Sequence, residues 1–518
     1  MVFSMSYSNL TTHYRFYFAI ILPLVIAIVS LTFFSLRFPS DGAYYHALAD
    51  NLVLFGTLED ASIIPKGPVL TYQNGISYFL AALKFMFGTF WWIAYVLIVS
   101  LIWTICCTRL HSLVTSVVDD IYSTKLIPLT LFLTIAPLLH YNSILIIGSF
   151  YNEAIFFPIV WLLFVEHCLL LTSQREGNTL KFGITYKDTL RLRLVFIFVI
   201  TLGVFFRIQG IAFVVSIAAG LLFSKHISFR VFLIIVVIPV LEFAILKYYQ
   251  HSPLSNHLLS NTLNVYEFDF NRLLSLMTAP ISLISVSSPN NFLANSPLSL
   301  LIMIFSSALS IFGLAAVYKK SQALFVTFLA LIITNGIFLL ILPIYSSRYE
   351  HIMTVPILIL YLYGLGFFRK MMIASRTTKI VSVSVLLLTI IILSYSVNHF
   401  YSKKSITTYT KIQNYKKGLA SLDRSVPFII YSEEPRYTYW FSGMPSCTVA
   451  PPECFLLQGM SSLNKMFYIG DSTVFGENQY LDGYVLVIDS EKDSERHDGK
   501  GHNVYGIWEI RGNRHKED

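Results

Sequence analysis

The chain has 518 residues, of which 55% are hydrophobic and only 13% charged, and its mean hydropathy is +0.64. Soluble domains carry about 25% charged residues, so the composition excludes an ordinary soluble enzyme and points to a polytopic membrane protein with room for one further domain. The net charge of +8 is no sign of nucleic-acid binding, because excess Lys and Arg mark the cytoplasmic loops of membrane proteins.

Apolar runs of about 20 residues, enough to cross a hydrocarbon core of about 30 Å, predict about eleven spans. They lie near residues 15–36, 90–109, 125–141, 148–172, 194–206, 209–224, 229–248, 297–318, 322–344, 351–368 and 379–397. The first is too long for a signal-peptide core and is followed by no small-residue cleavage site, so it reads as a retained span. After it, Tyr44 to Leu54 has a helical pattern. The stretch from Ile76 to Thr108 would be roughly 50 Å long as one helix. That is too long for one crossing and too short for two with a turn. It therefore reads as an interfacial helix, "NGISYFLAALKFMFG", followed by a span starting near Phe90. The first outer loop thus carries two interfacial helices. The pair of runs around Arg207 reads as two short spans or one long kinked element.

Lys and Arg set the orientation. Arg175, Lys181, Lys187, Arg191 and Arg193 share one loop; Lys225 with Arg230, Lys319 with Lys320, and Arg369, Lys370, Arg376 and Lys379 mark three others. With these spans all four loops fall on one side, the cytoplasm. The segments 39–89, 140–153, 251–297 and 343–350 and the tail 398–518 face the other side. In the tail, "VPFIIYSEEPRYTYWFSG", "GYVLVIDS" and "YGIWEI" read as strands. The expected division is a transmembrane domain over 1–397 and a small extracytoplasmic α/β domain over 398–518. Cys106, Cys107 and Cys168 read as small hydrophobes. Cys447 and Cys454 could form a disulfide outside the cytoplasm or remain free thiols.

The sequence contains no HExxH, CxxC, GxSxG or Gly-rich nucleotide loop, and no metal-ligand cluster is legible in it. The ionisable residues at the outer ends of spans are more informative. Asp41 opens the first outer loop and Glu153 stands where the fourth span begins. Asp41 could be a helix N-cap, and Glu153 could sit in a first turn beside the positive end of a helix dipole. Ionisable groups at the rim of a span are also characteristic of functional sites. Lys66 in "IIPKGPVLTYQNG" could snorkel. Arg207 interrupts an apolar stretch at an outer end, and Arg348 in "LPIYSSRYEHIMTVPILIL" holds the matching place on a later turn. Arginines there can pair with acids or grip a phosphate through two parallel bonds. Glu350 could pair with Arg348, and Tyr349 could add an aromatic wall. His46 could touch a substrate or be a solvated interfacial residue.

Four stretches together resemble the GT-C glycosyltransferases, within them the branch of the protein O-mannosyltransferases and the lipid A aminoarabinose transferase. "SDGAYYHALADNLVLFGTL" resembles the acidic first-loop motif with its interfacial helix, and "PKGPVLTYQNGISYFLAALKFMFG" the Lys-Pro-Pro-Leu-Tyr-Tyr stretch that ends in Phe-Gly. "PLLHYNSILIIGSFYNEAIFF" resembles the second acidic turn, and "SSRYEHIMTVPILIL" the Arg-Tyr-then-Pro element of a late span. Gly42 replaces a second acid common in relatives, and Gly67 replaces a Pro.

The resemblance implies a mostly α, polytopic GT-C bundle with a small C-terminal α/β extracytoplasmic domain. It implies inverting transfer of a sugar from a polyprenyl-phosphate donor to an acceptor at the outer membrane boundary. Asp41 and Glu153 would be catalytic, with Lys66, Arg207 and Arg348 on the donor phosphate and Tyr44, Tyr45, Tyr72 and Tyr349 on the substrate. The acceptor would be a glycolipid, glycan or protein. No cofactor is required, although a divalent metal is compatible with the chemistry. The expected home is a bacterial inner membrane with the site on its periplasmic or outer side, or else the endoplasmic reticulum. The rival from another class is a transporter or flippase of lipid-linked sugars, for which charges near the midplane and repeated halves would speak.

Overall fold

In the computed structural model the described residues are 25–26, 28, 40–59, 62–64, 74–122, 134, 137–138, 143, 146–147, 150–173, 209–250, 297–341, 351–371, 428–432, 439, 446–447, 465–471, 484–489 and 505–510. The expected spans near 15–36, 125–141, 194–206 and 379–397 fall wholly or mostly outside them.

The first loop supplies helix α1 (Ser40–Phe55) and helix α2 (Gly75–Phe87). A 3-10 turn, Gly88–Phe90, separates α2 from helix α3 (Trp91–Tyr122). The 44-residue apolar run Gly75–Val118 is therefore two helices. The break falls at Gly88, whose φ of +53° and ψ of −125° suit a residue without a Cβ, and whose N–H closes back on the Lys84 carbonyl. Helix α3 continues well past residue 109, where the sequence predicted an end. Arg109 is tolerated there because its guanidinium meets both carboxylate oxygens of Glu166. On α3, Ile93, Leu97, Leu101 and Ile105 form an exposed stripe at i+4 spacing, as a lipid-facing surface would.

Helix α4 (Glu153–Ser173) starts later than residue 148, because Phe150 has a left-handed φ of +51° that interrupts any helix before it. Then come α5 (Gly210–Phe223), α6 (Phe229–Gln250), α7 (Pro297–Lys320), α8 (Gln322–Ile341) and α9 (Thr354–Met371). Among the described residues, Gly75–Val118 and Glu153–Thr172 are long and apolar enough to cross a membrane, and Gly210–Phe223, Phe229–Pro239, Gln322–Phe338 and Thr354–Phe367 are shorter apolar helical runs.

Two indole N–H groups join α3, α4 and α9. Proline has no N–H, so the carbonyl four residues earlier loses its helical partner. Pro158 frees the Ala154 carbonyl, which accepts the Trp103 indole N–H at 2.8 Å. The Ile352 carbonyl, just ahead of α9, accepts the Trp161 indole N–H at 2.7 Å. The two indoles meet edge to face at 5.5 Å, and both are buried. Each tryptophan on one helix thus serves a carbonyl at or just before the start of another.

The helix ends also sort themselves. A Cβ on Gly220, near the end of α5, would collide with the Thr327 hydroxyl and press against the Ala323 carbonyl, both near the start of α8. The turn holding Lys225 therefore lies at the same end of the bundle as Lys319 and Lys320. Lys319 and Lys320 lie over the rings of Phe367 and Tyr363, in the second half of α9. The start of α9 is consequently at the opposite end, where Trp161 binds Ile352.

The tail contributes to a six-stranded sheet of order β1-β3-β2-β4-β6-β5. Its strands are β2 (Phe428–Ser432), β3 (Ser446–Cys447), β4 (Lys465–Asp471), β5 (Tyr484–Asp489) and β6 (Tyr505–Ile510). The edge strand β1 (Ile63–Ile64) comes from the first loop and pairs in parallel with Ser446–Cys447. Strands β2, β5 and β6 coincide with the predicted ones. Strand β4 was legible as the apolar run "MFYI" between polar segments and was overlooked. Cys454 and the side chain of Cys447 lie outside the described residues.

Trp103→Phe removes the donor to the Ala154 carbonyl and should cost about 1–3 kcal/mol. In a Pro158→Ala background the restored backbone N–H serves that carbonyl, so the same substitution should cost markedly less. Thermal unfolding of the four proteins in detergent measures this coupling, and equal losses in both backgrounds would refute it.

Candidate active site

The first loop meets the second acidic turn directly. Asn152 Oδ1 accepts the backbone N–H of Ile76, the second residue of α2, at 2.9 Å. The Asn152 carbonyl also accepts the N–H of Phe156 at 3.1 Å, so this one residue starts α4 and anchors α2. Glu153 follows it, only 1% exposed, at the head of α4. An acid in that place is favoured by the helix dipole, yet its burial requires polar surroundings.

The other end of α2 is clamped to α1. Lys84 Nζ lies 2.5 Å from Asp50 Oδ1, and His46 Nδ1 lies 3.1 Å from Asp50 Oδ2. The Trp91 ring covers both partners, 5.0 Å from the Lys84 ammonium and 5.4 Å from the His46 ring. Burial would raise the Asp50 carboxyl, but the imidazole N–H of His46 and the charge of Lys84 outweigh it and hold it at about 2. Burial lowers His46, and it lowers Lys84 against the opposing pull of Asp50. His46 is therefore a partner within this clamp and not a solvated interfacial residue.

Aromatic packing carries the clamp on to the acidic turn. Trp91 and Tyr95 pack against Phe150 with ring centroids 5.4 and 4.6 Å apart. A left-handed conformation is costly for a bulky residue and persists only when its surroundings hold it. Buried Phe150, between two rings, satisfies that condition three residues ahead of Glu153.

Asp41 is the second residue of α1, inside the first turn, a position that suits an anion; its side chain lies outside the described residues. Tyr44 is buried and Tyr45 is partly buried against the core, their rings 5.7 Å apart. Lys66, Tyr72, Arg207, Arg348 and Tyr349 also lie outside the described residues. The described neighbours of the two arginines are nonetheless at the Glu153 end. Gln209, buried, precedes α5 at the end away from the basic turns. His351 precedes α9 and packs on Phe157 and Trp161 of α4.

No protein-family description matches the sequence, and no curated protein matches it. Among solved structures, five chains match. One is the crystal structure of ArnT from Cupriavidus metallidurans bound to undecaprenyl phosphate, matched at 10% identity and a TM-score of 0.50 over 96% of this chain and 98% of that one.

Asp50→Asn tests the clamp. The folded carboxyl titrates below its unfolded value of about 3.9, so its stabilisation is complete above that pH and fades as pH falls toward 2. The substitution should lower the melting temperature at pH 6 and shrink the wild-type loss between pH 5 and pH 2.5. An unchanged acid profile would show that the pair contributes nothing.

Over nearly its full length the chain shares the fold of that structure, as the sequence resemblance implied.

Proposed function

We propose that this protein transfers a sugar from a polyprenyl-phosphate donor to an acceptor hydroxyl or other nucleophile, with inversion, at the non-cytoplasmic boundary of a bacterial inner membrane. The observation that carries the reading is the buried carboxylate of Glu153 at the head of α4, on the turn that anchors the first loop through Asn152 and Ile76. A rim position for the acid fits transfer at a membrane surface better than movement through the midplane. The whole-length fold likeness to a protein crystallised with undecaprenyl phosphate supports the donor class.

In this mechanism Asp41 takes the proton of the acceptor nucleophile, and Glu153 orients the acceptor or shares that role. The nucleophile attacks the anomeric carbon, and the bond from that carbon to the phosphate oxygen breaks on the opposite face. Lys66, Arg207 and Arg348 stabilise the negative charge that builds on the departing polyprenyl phosphate, an electrostatic role that usually supplies the largest share of catalysis. Tyr44, Tyr45, Tyr72 and Tyr349 provide faces for the sugar. The single displacement inverts the anomeric centre; it does not require a metal, although a divalent ion is compatible with it. The acceptor is a glycolipid, glycan or protein.

Asp41→Asn should lower transfer by a factor of about 10² to 10⁴ at unchanged protein level; activity retained in that variant removes Asp41 from the mechanism. Arg348→Ala should raise KM for the lipid-linked donor more than KM for the acceptor, and equal changes would refute the phosphate assignment. Comparing cell-envelope glycolipids and glycoproteins with and without the gene identifies the acceptor. A lipid-linked sugar that accumulates on the cytoplasmic side instead would indicate a flippase.

A further inference from the structure

The ends of α1 and α2 read alike: "LVLFG" closes the first and "FMFG" the second. Both glycines have a left-handed φ, +71° at Gly56 and +53° at Gly88, with open space around them. The residues just before them are apolar and face outward. Leu54 is 69% exposed, Phe55 62%, Phe85 84% and Met86 70%. In water such surface is unfavourable by about 25 cal/mol for each Å² left wet, and soluble monomers seldom show a contiguous apolar patch larger than roughly a few hundred Å².

The buried clamp sets the two ends beside each other. Lys84 immediately precedes Phe85, and it bonds Asp50, which stands four residues before Leu54. Neither end carries a charge of its own. The next charged residue after Asp50 is Glu59, and the next after Lys84 is Arg109.

Helix α3 fixes the depth of these ends. Between Phe85 and Ile105 the residues that are not buried are aliphatic or aromatic, except Gly88 and Thr89. Between Thr108 and Val118 every residue that is not buried is polar. The lipid-facing surface of α3 therefore stops near Arg109. A hydrocarbon core of about 30 Å takes about 20 residues of helix. Counted back from Arg109, that length reaches Thr89, in the turn that joins α2 to α3. The end of α2 is thus level with the top of the hydrocarbon, and exposed Phe90 joins it to the stripe that begins at Ile93. Trp91 and Trp92 stand at the same level, where indole rings gather in membranes, and Trp91 covers the clamp.

We propose that the paired ends of α1 and α2 insert into the acyl chains of the leaflet on the Glu153 side, with the Asp50, Lys84 and His46 clamp at headgroup level above them. The partner is bilayer lipid, because the patch continues the lipid-facing surface of α3 without a break. Helix ends enter the lipid here, an arrangement distinct from two helices lying flat on the surface. The first loop is then held twice, by lipid at this end and by Asn152 at the start of α2. This anchoring is independent of the reaction at Glu153.

The test is site-specific fluorescence of the full-length protein in lipid nanodiscs. An environment-sensitive fluorescent amino acid is placed singly at Leu54, Phe85, Leu97 or Ser116. Emission at Leu54 and Phe85 should be blue-shifted relative to Ser116. Phosphatidylcholine brominated just below its headgroup should quench both more strongly than lipid brominated at mid-chain. Leu97, deeper on α3, should show the reverse order. Iodide in the water should quench Ser116 and spare the other three. Quenching of Leu54 and Phe85 by iodide and by neither brominated lipid overturns the insertion. Protection from all three quenchers means that protein covers the patch, such as a second copy of this chain, and overturns it equally. Asp50→Asn should reduce quenching by brominated lipid at Leu54 and leave it unchanged at Phe85, whose helix is continuous with α3. Unchanged quenching at Leu54 in that variant removes the clamp from the proposal. Should the label at Phe85 prevent folding, Met86 reports on the same end.

Discussion

Backbone polar groups in an apolar interior must find partners inside the protein, and this constraint organises the end of the bundle that carries Glu153. Several contacts between separate elements there answer it, for backbone groups and for buried polar side chains alike. Asn152 supplies an acceptor for the start of α2. Two indoles supply donors to the Ala154 and Ile352 carbonyls, the first of which Pro158 leaves without a helical partner. Ser143 and Thr354 serve both nitrogens of His351. Leaving such a group unmet costs about 1–3 kcal/mol, so each contact favours one docking geometry over its neighbours. The candidate site inherits its order from these bonds, since apolar packing alone is non-directional.

Charge is used differently in the same region. Asp50, Lys84 and His46 form a compact group whose charges are spent on one another and on the Trp91 face. Such a pair gives little net stability but fixes register, because breaking one side leaves the other buried and uncompensated. Arg109 and Glu166 tie α3 to α4 with a pair that is more open to water and so more screened. Glu153 is set apart by its place at a helix head next to the docked loop, which makes it the described acid best placed for chemistry.

Much of this was legible in the sequence, for physical reasons. Apolar runs of membrane-spanning length give helices, and Gly88 ends α2 where the length of the run from Ile76 to Thr108 requires a break. The start of α4 was misplaced because a left-handed Phe150 leaves no compositional trace; its cause is ring packing from Trp91 and Tyr95, more than fifty residues earlier. The end of α3 was misjudged because Arg109 looks like a boundary until Glu166 is seen beside it. Asp41 and Glu153 could be singled out from their places at the ends of apolar runs. Asn152, Ser143 and His351 could not, because their roles depend on partners remote in the chain. Pro158 was a usable signal: five residues after Glu153, it leaves the Ala154 carbonyl in need of a donor.

The strand Ile63–Ile64 has a bearing on how the molecule is made. It lies just ahead of Lys66, and its partner Ser446–Cys447 emerges from the ribosome only after several hundred further residues. Contacts so distant in sequence form late. Throughout synthesis the first loop waits with one edge unsatisfied, and an incomplete chain never acquires the finished rim. Pairing along this edge of the first loop thus waits until the tail has been made.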